Sequence, residues 1–149
     1  RDPVDFRGIK WGTNIDTLSG FTHIGTEKSS NGSGDLDEYR RDDDVLSIGN
    51  ANVEKIIYQF WQGKFYGVKI IYKDWDPIFR ELIAKFGRSY ATENEIKSRY
   101  RVNTVLRARY VWYGERANVV AQYGDHTCPC IWITSLKVSE EREKTSRSE

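Results

Sequence analysis

The sequence is poor in the residues from which many catalytic and metal sites are built. It has two cysteines, two histidines and no methionine among 149 residues. Two cysteines separated by one residue cannot supply the two Cys pairs of a common structural zinc site. The G-x-S-x-G motif of hydrolases, the H-E-x-x-H motif of metalloproteases and a glycine-rich phosphate loop are also absent from the sequence. We therefore expect a protein that is not an enzyme and needs no cofactor.

The sequence also lacks an excess of one charge and a long hydrophobic run. It has 23 Lys and Arg against 22 Asp and Glu, for a net charge of +1. Nucleic-acid-binding domains usually carry a marked basic excess, so we expect no nucleic-acid partner. No apolar run approaches the roughly 18 residues that a membrane-spanning helix requires, so we expect no membrane span.

The absence of methionine predicts that a leader was removed from the chain. A cleaved secretion signal is one explanation, and trimming of a longer cytosolic protein is another. The two cysteines lie too close together to indicate the redox compartment.

Aromatic residues, in contrast, are abundant: five Trp, nine Tyr and six Phe supply large rings for a core. Aromatic and β-branched runs at 55–61 and 64–72 flank Gln62-Gly63, which is typical of a β-hairpin. Apolar residues recur at helical spacing between Asp76-Pro77 and Gly87, which predicts the principal helix over about 77–86.

The remaining segments complete a fold of the α+β class with a mainly antiparallel sheet of about 6–8 strands. Capping-box spacings predict short helices near 14–19 and 93–99. Strands are predicted at 36–40 and 45–48, paired as a hairpin, and at 102–113, 117–123 and 130–137, forming a meander. We expect one domain over 1–138 and a charged C-terminal tail over 139–149. A frayed helix or a homo-oligomeric partner would order that tail.

One loop, over residues 125–130, brings together candidate metal ligands. Its His126, Cys128 and Cys130 offer the imidazole and thiolate groups that zinc and softer metals prefer. The same two cysteines could instead form a small disulfide, or enter a strand as small buried residues. A small metal- or thiol-site protein is therefore an alternative function.

A basic and aromatic strand face is the other candidate site. Alternation in a strand places Arg107, Arg109 and Tyr113 on one face, and Lys69 lies on the second face of the central hairpin. Such a surface could hold a small acidic ligand or an acidic segment of an unknown protein, through charge-assisted hydrogen bonds and stacking. The alternative is packing of arginine stems across neighbouring strands.

Residues 6–12 read F-R-G-I-K-W-G. This stretch resembles the N-terminal F-R-G-x-x-W-G motif of small, uncharacterised exported bacterial proteins and lipoproteins. The resemblance implies a periplasmic or cell-envelope location, and it carries over no catalytic or ligand-binding residue. We therefore predict a non-catalytic binding or scaffolding domain of the bacterial cell envelope.

Overall fold

The structure is a computed structural model that describes residue 3 and residues 5–30, 34–97 and 104–147. In chain order these residues form β1 (Asp5–Phe6), β2 (Ile9–Lys10), a 3₁₀ turn (Ile15–Thr17), β3 (Phe21–Glu27), β4 (Leu36–Arg41), β5 (Ser47–Ile48), β6 (Ala51–Trp61), β7 (Lys64–Tyr72), α1 (Trp75–Phe86), β8 (Tyr90–Lys97), β9 (Thr104–Tyr113), β10 (Ala117–Gly124), β11 (Cys130–Ser135) and α2 (Leu136–Arg147).

Eight of these strands form one antiparallel sheet in the order β3-β4-β6-β7-β11-β10-β9-β8. The short strand β5 pairs with β6, and β1 and β2 form a separate two-stranded ribbon. The expected α+β fold with a mainly antiparallel sheet is confirmed. Within the described residues, no helix is long and apolar enough to cross a membrane.

The predicted central hairpin is β6 and β7, joined at Gln62-Gly63. Both turn residues have positive φ values, 49° and 80°, which suits the right-handed twist of the two strands. Phe60 pairs with Phe65 beside the turn, and their ring centroids lie 5.3 Å apart. Both side chains are fully buried in the main core.

The principal helix α1 covers one face of the sheet, which we call the first face. Its Ile78 and Leu82 are buried in the core that β6, β7, β10 and β11 form. The helix begins at Trp75 with Asp74 as N-cap, so the predicted start at Pro77 is two residues late. Gly87, at φ 84°, ends it as expected.

Two local predictions are wrong. Residues 93–99 were expected to form a helix, but residues 93–97 belong to β8 (Tyr90–Lys97), which pairs with β9 along its whole length, and residues 98 and 99 lie outside the described residues. Strands β4 and β5 do not pair with each other, because both pair with β6. For residues 93–97, the eight-residue ladder with β9 outweighs the helix signal, since one or two isolated helical turns are marginal in water. For β4, a four-residue ladder with the long strand β6 replaces the predicted hairpin.

The two shorter helical segments also differ from expectation. The predicted helix near 14–19 is the 3₁₀ turn, in which the Asn14 side chain accepts a hydrogen bond from the Asp16 amide at 2.8 Å. The strand predicted to end at 137 ends at Ser135, whose hydroxyl caps α2 by accepting from the Val138 amide at 3.2 Å.

The charged segment after residue 138 continues α2, which packs on the sheet face opposite α1. Val138 is buried there with Leu36 and Trp61. Lys64 pairs with Glu141 at 2.8 Å and thereby lowers the pKa of that carboxyl group. These contacts within the chain hold α2 in place, and the expected homo-oligomer through this segment stays a prediction.

Candidate binding face and groove

In the part of the chain that the structure describes, the sheet face opposite α1 is covered by a helix only at one end. Among the described residues, α2 contacts β7 and β11 there, near Leu36 and Trp61. Val68 and Ile70 belong to the first-face core, so the pleat turns Lys69 and Ile71 to the opposite side. We call this second surface the open face.

A row of directly paired residues crosses the open face from β6 to β9. Its members, in order across the sheet, are Ile57, Lys69, Trp132, Val120 and Val111. Each is partly exposed. The middle row is therefore an apolar band with one lysine and one tryptophan at its centre.

The next row adds charge to this apolar band. Lys55 pairs with Ile71 and Ile71 with Cys130, while Gln122 pairs with Arg109 further along the sheet. Lys55 and Arg109 are exposed. Across these two rows, the described side chains from β6 to β9 include three cations and no carboxylate. An acidic group would meet no repulsion from these rows.

The structure places the predicted ligand-binding residues on the same face but not in one pocket. Lys69 lies on β7 and Arg109 on β9, with β11 and β10 between them. At about 4.8 Å per strand, their backbones are separated by roughly 14 Å across the sheet and by about 7 Å along the strands, because Lys69 is in register with Val111. Tyr113 lies on β9 as well and is 68% exposed. Arg107 also lies on β9, where it pairs with Gly124 of β10, but its side chain lies outside the described residues.

Sequence reasoning missed Trp132 and Lys55 as members of this surface. Trp132 stands between Ile131 and Ile133, both buried in the first-face core. That alternation was a usable signal, since the residue between two buried strand residues points to the other face. Lys55 follows a register shift on β6 that lies between Val53 and Lys55, and no local sequence pattern indicates this shift.

A second feature is a polar cluster centred on Asp44. Its carboxylate accepts hydrogen bonds from Arg7 and from the Tyr58 hydroxyl, each at 2.9 Å, and from the Val45 amide at 3.0 Å. Burial, together with the hydrogen bond to the Asp44 carboxylate, raises the pKa of Tyr58, so its hydroxyl stays protonated and donates. Arg7 also donates to the carbonyls of Val45 and Ser47. The cluster fixes the loop over residues 42–46.

That loop borders a groove between β4 and β6, with a volume of about 780 Å³. The groove is lined by apolar side chains, among them Ile24, Leu46 and Ile57, and by charged residues of both signs. Its volume falls within the range of roughly 300–1,000 Å³ that is usual for ligand sites. Ile57 also belongs to the middle row, so the groove adjoins the open face.

The loop over residues 125–130, predicted as a candidate metal site, contains a disulfide instead of two free thiols. In the structure Cys128 and Cys130 form a disulfide, with their Cα atoms 5.2 Å apart. Cys130 is fully buried, whereas Cys128 and His126 are exposed. Within the described residues, no group of three or more His, Cys, Asp or Glu side chains could hold a metal ion. Thiolate ligation at this loop would first require reduction of the disulfide.

We expect protein purified without reductant to show no reactive thiol, and two after reduction in denaturant. The closed loop is very short, so we expect reduction to lower the free energy of unfolding by only about 1.5 kcal/mol. A thiol titration and urea unfolding with and without reductant measure both quantities. Two reactive thiols in native, unreduced protein, or bound metal, would favour the alternative site.

No protein-family model, curated protein or solved structure matches the chain.

Proposed function

We propose that the chain is a non-catalytic binding domain of the bacterial cell envelope that holds an acidic protein segment against its open face. The observation that carries the proposal is the band of partly exposed apolar residues that includes Lys69, with Lys55 and Arg109 in the adjoining row. Trp132 at the centre of this band offers a ring of the kind that is enriched at protein interfaces. Cations around such a ring would steer and orient an acidic partner.

The spacing of the cations favours a protein segment over a small acidic ligand. A small molecule needs converging groups in one pocket, whereas Lys69 and Arg109 lie roughly 14 Å apart across the sheet. An acidic segment that crosses the strands can reach both cations and cover the apolar band between them. The proposed partner is therefore a protein with several carboxylates on one surface.

The disulfide supports the proposed location outside the cytosol. Disulfides persist in oxidising compartments such as the bacterial periplasm and are rare in the reducing cytosol. The bond between Cys128 and Cys130 is compatible with such a compartment.

Reversing two charges on the open face tests the proposal. We expect Lys69→Glu together with Arg109→Glu to weaken binding of poly-L-glutamate at least tenfold (about 1.4 kcal/mol), because two attractive contacts become repulsive. Fluorescence anisotropy at low and physiological salt measures the affinity, and we expect wild-type binding to weaken as salt rises.

The matched control is Arg80→Glu with Lys85→Glu, which makes the same change in net charge at exposed positions on α1. Arg80 lies on α1, on the opposite side of the sheet. Equal loss of binding in both double variants would show that net charge alone governs the interaction. That result, or no binding by the wild type at low salt, would refute the proposed site.

A further inference from the structure

The disulfide between Cys128 and Cys130 closes a very short loop. Only Pro129 separates the two cysteines in the sequence. A disulfide stabilises a fold mainly by restricting the unfolded chain, and this effect decreases as the closed loop becomes shorter. A loop of three residues is close to the shortest that a bridge can close. The fold therefore loses little stability when this bond is broken.

The two cysteines differ in their access to solvent. Cys128 is exposed, whereas Cys130 is fully buried. Exchange between a thiol and a disulfide requires a thiolate to approach one of the two sulfur atoms, and access decides which atom is attacked. An incoming thiolate therefore attacks the sulfur of Cys128, and Cys130 is the leaving group. Exposed disulfides are also reduced more readily than structural bridges.

Hydrogen bonds hold the cysteine loop in place independently of the sulfur–sulfur bond. The Cys128 carbonyl accepts from the Gln122 side chain at 3.2 Å and from the Cys130 amide at 2.7 Å. The Pro129 carbonyl accepts from the Tyr72 amide at 3.0 Å. The proline ring also restricts the backbone of the residue between the two cysteines. We therefore expect the loop to keep its conformation in reduced protein, with the two thiols still adjacent.

We propose that this disulfide is an exchange site that accepts two electrons from a pair of neighbouring thiols in an accessible segment of another protein. One thiolate of the pair attacks the sulfur of Cys128, the bond to Cys130 breaks, and Cys130 leaves as a thiolate that takes up a proton from water. The second thiolate attacks the partner's own sulfur in the mixed disulfide and releases Cys128, which is protonated in turn. The partner loses two protons and gains a disulfide, while Cys128 and Cys130 become thiols. One disulfide is used for each partner, and no further oxidant is needed.

The position of Cys130 favours a dithiol over a single thiol as the partner. After the first step Cys130 remains next to Cys128, since the loop holds their Cα atoms 5.2 Å apart, and its thiolate attacks Cys128 again. This return reaction expels a partner that is attached through one sulfur only. A second thiol that is tethered to the first competes with the return reaction, because tethering gives it an effective concentration of roughly millimolar.

Reduction of the folded protein by dithiothreitol, a small dithiol, tests this proposal. We expect two thiols to appear, and trapping with iodoacetamide followed by mass spectrometry measures how fast they appear. About 1 M urea, below the unfolding transition, should change this rate by less than about twofold, because the folded protein is the species that reacts. A route through global unfolding would instead accelerate reduction at least about fivefold, since urea raises the unfolded fraction by that factor.

Two matched variants with one cysteine each test which sulfur is attacked. Cys130→Ala leaves the thiol of the exposed Cys128, and Cys128→Ala leaves the thiol of the buried Cys130. We expect oxidised glutathione to form a mixed disulfide with Cys130→Ala at least about tenfold faster than with Cys128→Ala, because exchange depends on access to the sulfur. Circular dichroism verifies that both variants are folded.

Three outcomes would overturn the proposal: no reduction of the folded protein, a reduction rate that rises with urea as the unfolded fraction does, or equal rates for the two variants. The measurement of urea dependence uses wild-type protein, so it decides the matter even if a variant does not fold. Neither experiment uses poly-L-glutamate, so failure of the exchange site is distinguished from failure of the acidic-partner proposal.

Discussion

Replacing Asp44 by Asn is expected to lower the free energy of unfolding by about 3 kcal/mol. The Asp44 side chain is only 8% exposed and receives hydrogen bonds from Arg7, Tyr58 and the Val45 amide. Asn keeps the shape but removes the negative charge, so the Arg7 guanidinium stays largely buried without its counterion. The Tyr58 hydroxyl also loses a charged acceptor.

Asp43→Asn is the matched control for this prediction. Asp43 is exposed and adopts a left-handed backbone with φ 56°, which Asn tolerates. We expect its replacement to change the free energy of unfolding by less than about 0.5 kcal/mol. Urea unfolding of both variants measures the difference. Equal stabilities would mean that the Asp44 cluster contributes no more than an ordinary surface carboxylate.

The cluster gives a structural reason for part of the N-terminal motif. Phe6 packs its ring against Tyr58 with centroids 5.8 Å apart, and Arg7 reaches the loop over residues 42–46. Arg7 and Gly8 form the tight turn between β1 and β2, with φ values of 52° and 84°. The ribbon of β1 and β2 is thus held against the loop that borders the groove by Phe6 and Arg7, and Gly8 allows the turn between its two strands. The sequence alone could not identify Asp44 as the partner of Arg7, because the two residues are 37 positions apart.

The parts of the fold that were predicted correctly depend on local signals. The turn at Gln62-Gly63 and the apolar stripe of α1 can be identified within a few residues, and both are present. The segment 90–97 shows the limit of such signals. Thr92 and Glu95 have the spacing of a helix start, yet the segment forms β8 because β9 offers a complete antiparallel ladder.

The candidate site, too, was predictable only where it depends on local sequence patterns. Strand alternation was sufficient to place Lys69, Arg109 and Tyr113 on one face, but not to show that β10 and β11 separate Lys69 from Arg109. The groove has no local signature at all, since it depends on where β4 stops pairing with β6. Ile24 and Leu46, which border it, are 22 residues apart in sequence and look like ordinary strand and loop residues.

Strands β7 and β11 approach each other closely at Gly67. We therefore expect Gly67→Ala to lower the free energy of unfolding by about 3 kcal/mol. A Cβ atom at Gly67 would lie 2.4 Å from the Ile133 carbonyl oxygen and 3.1 Å from the Thr134 Cα. Both are backbone atoms, so no side-chain rotation relieves the overlap, and β7 or β11 must shift.

Gly25→Ala on β3 is the control, because a Cβ there meets no atom within 4 Å, and we expect it to change stability by less than about 1 kcal/mol. Urea unfolding measures both variants, and similar stabilities would contradict the close approach of β7 to β11. Because β11 carries Trp132 next to Lys69, the shift forced by Gly67→Ala should also weaken poly-L-glutamate binding while the protein remains folded.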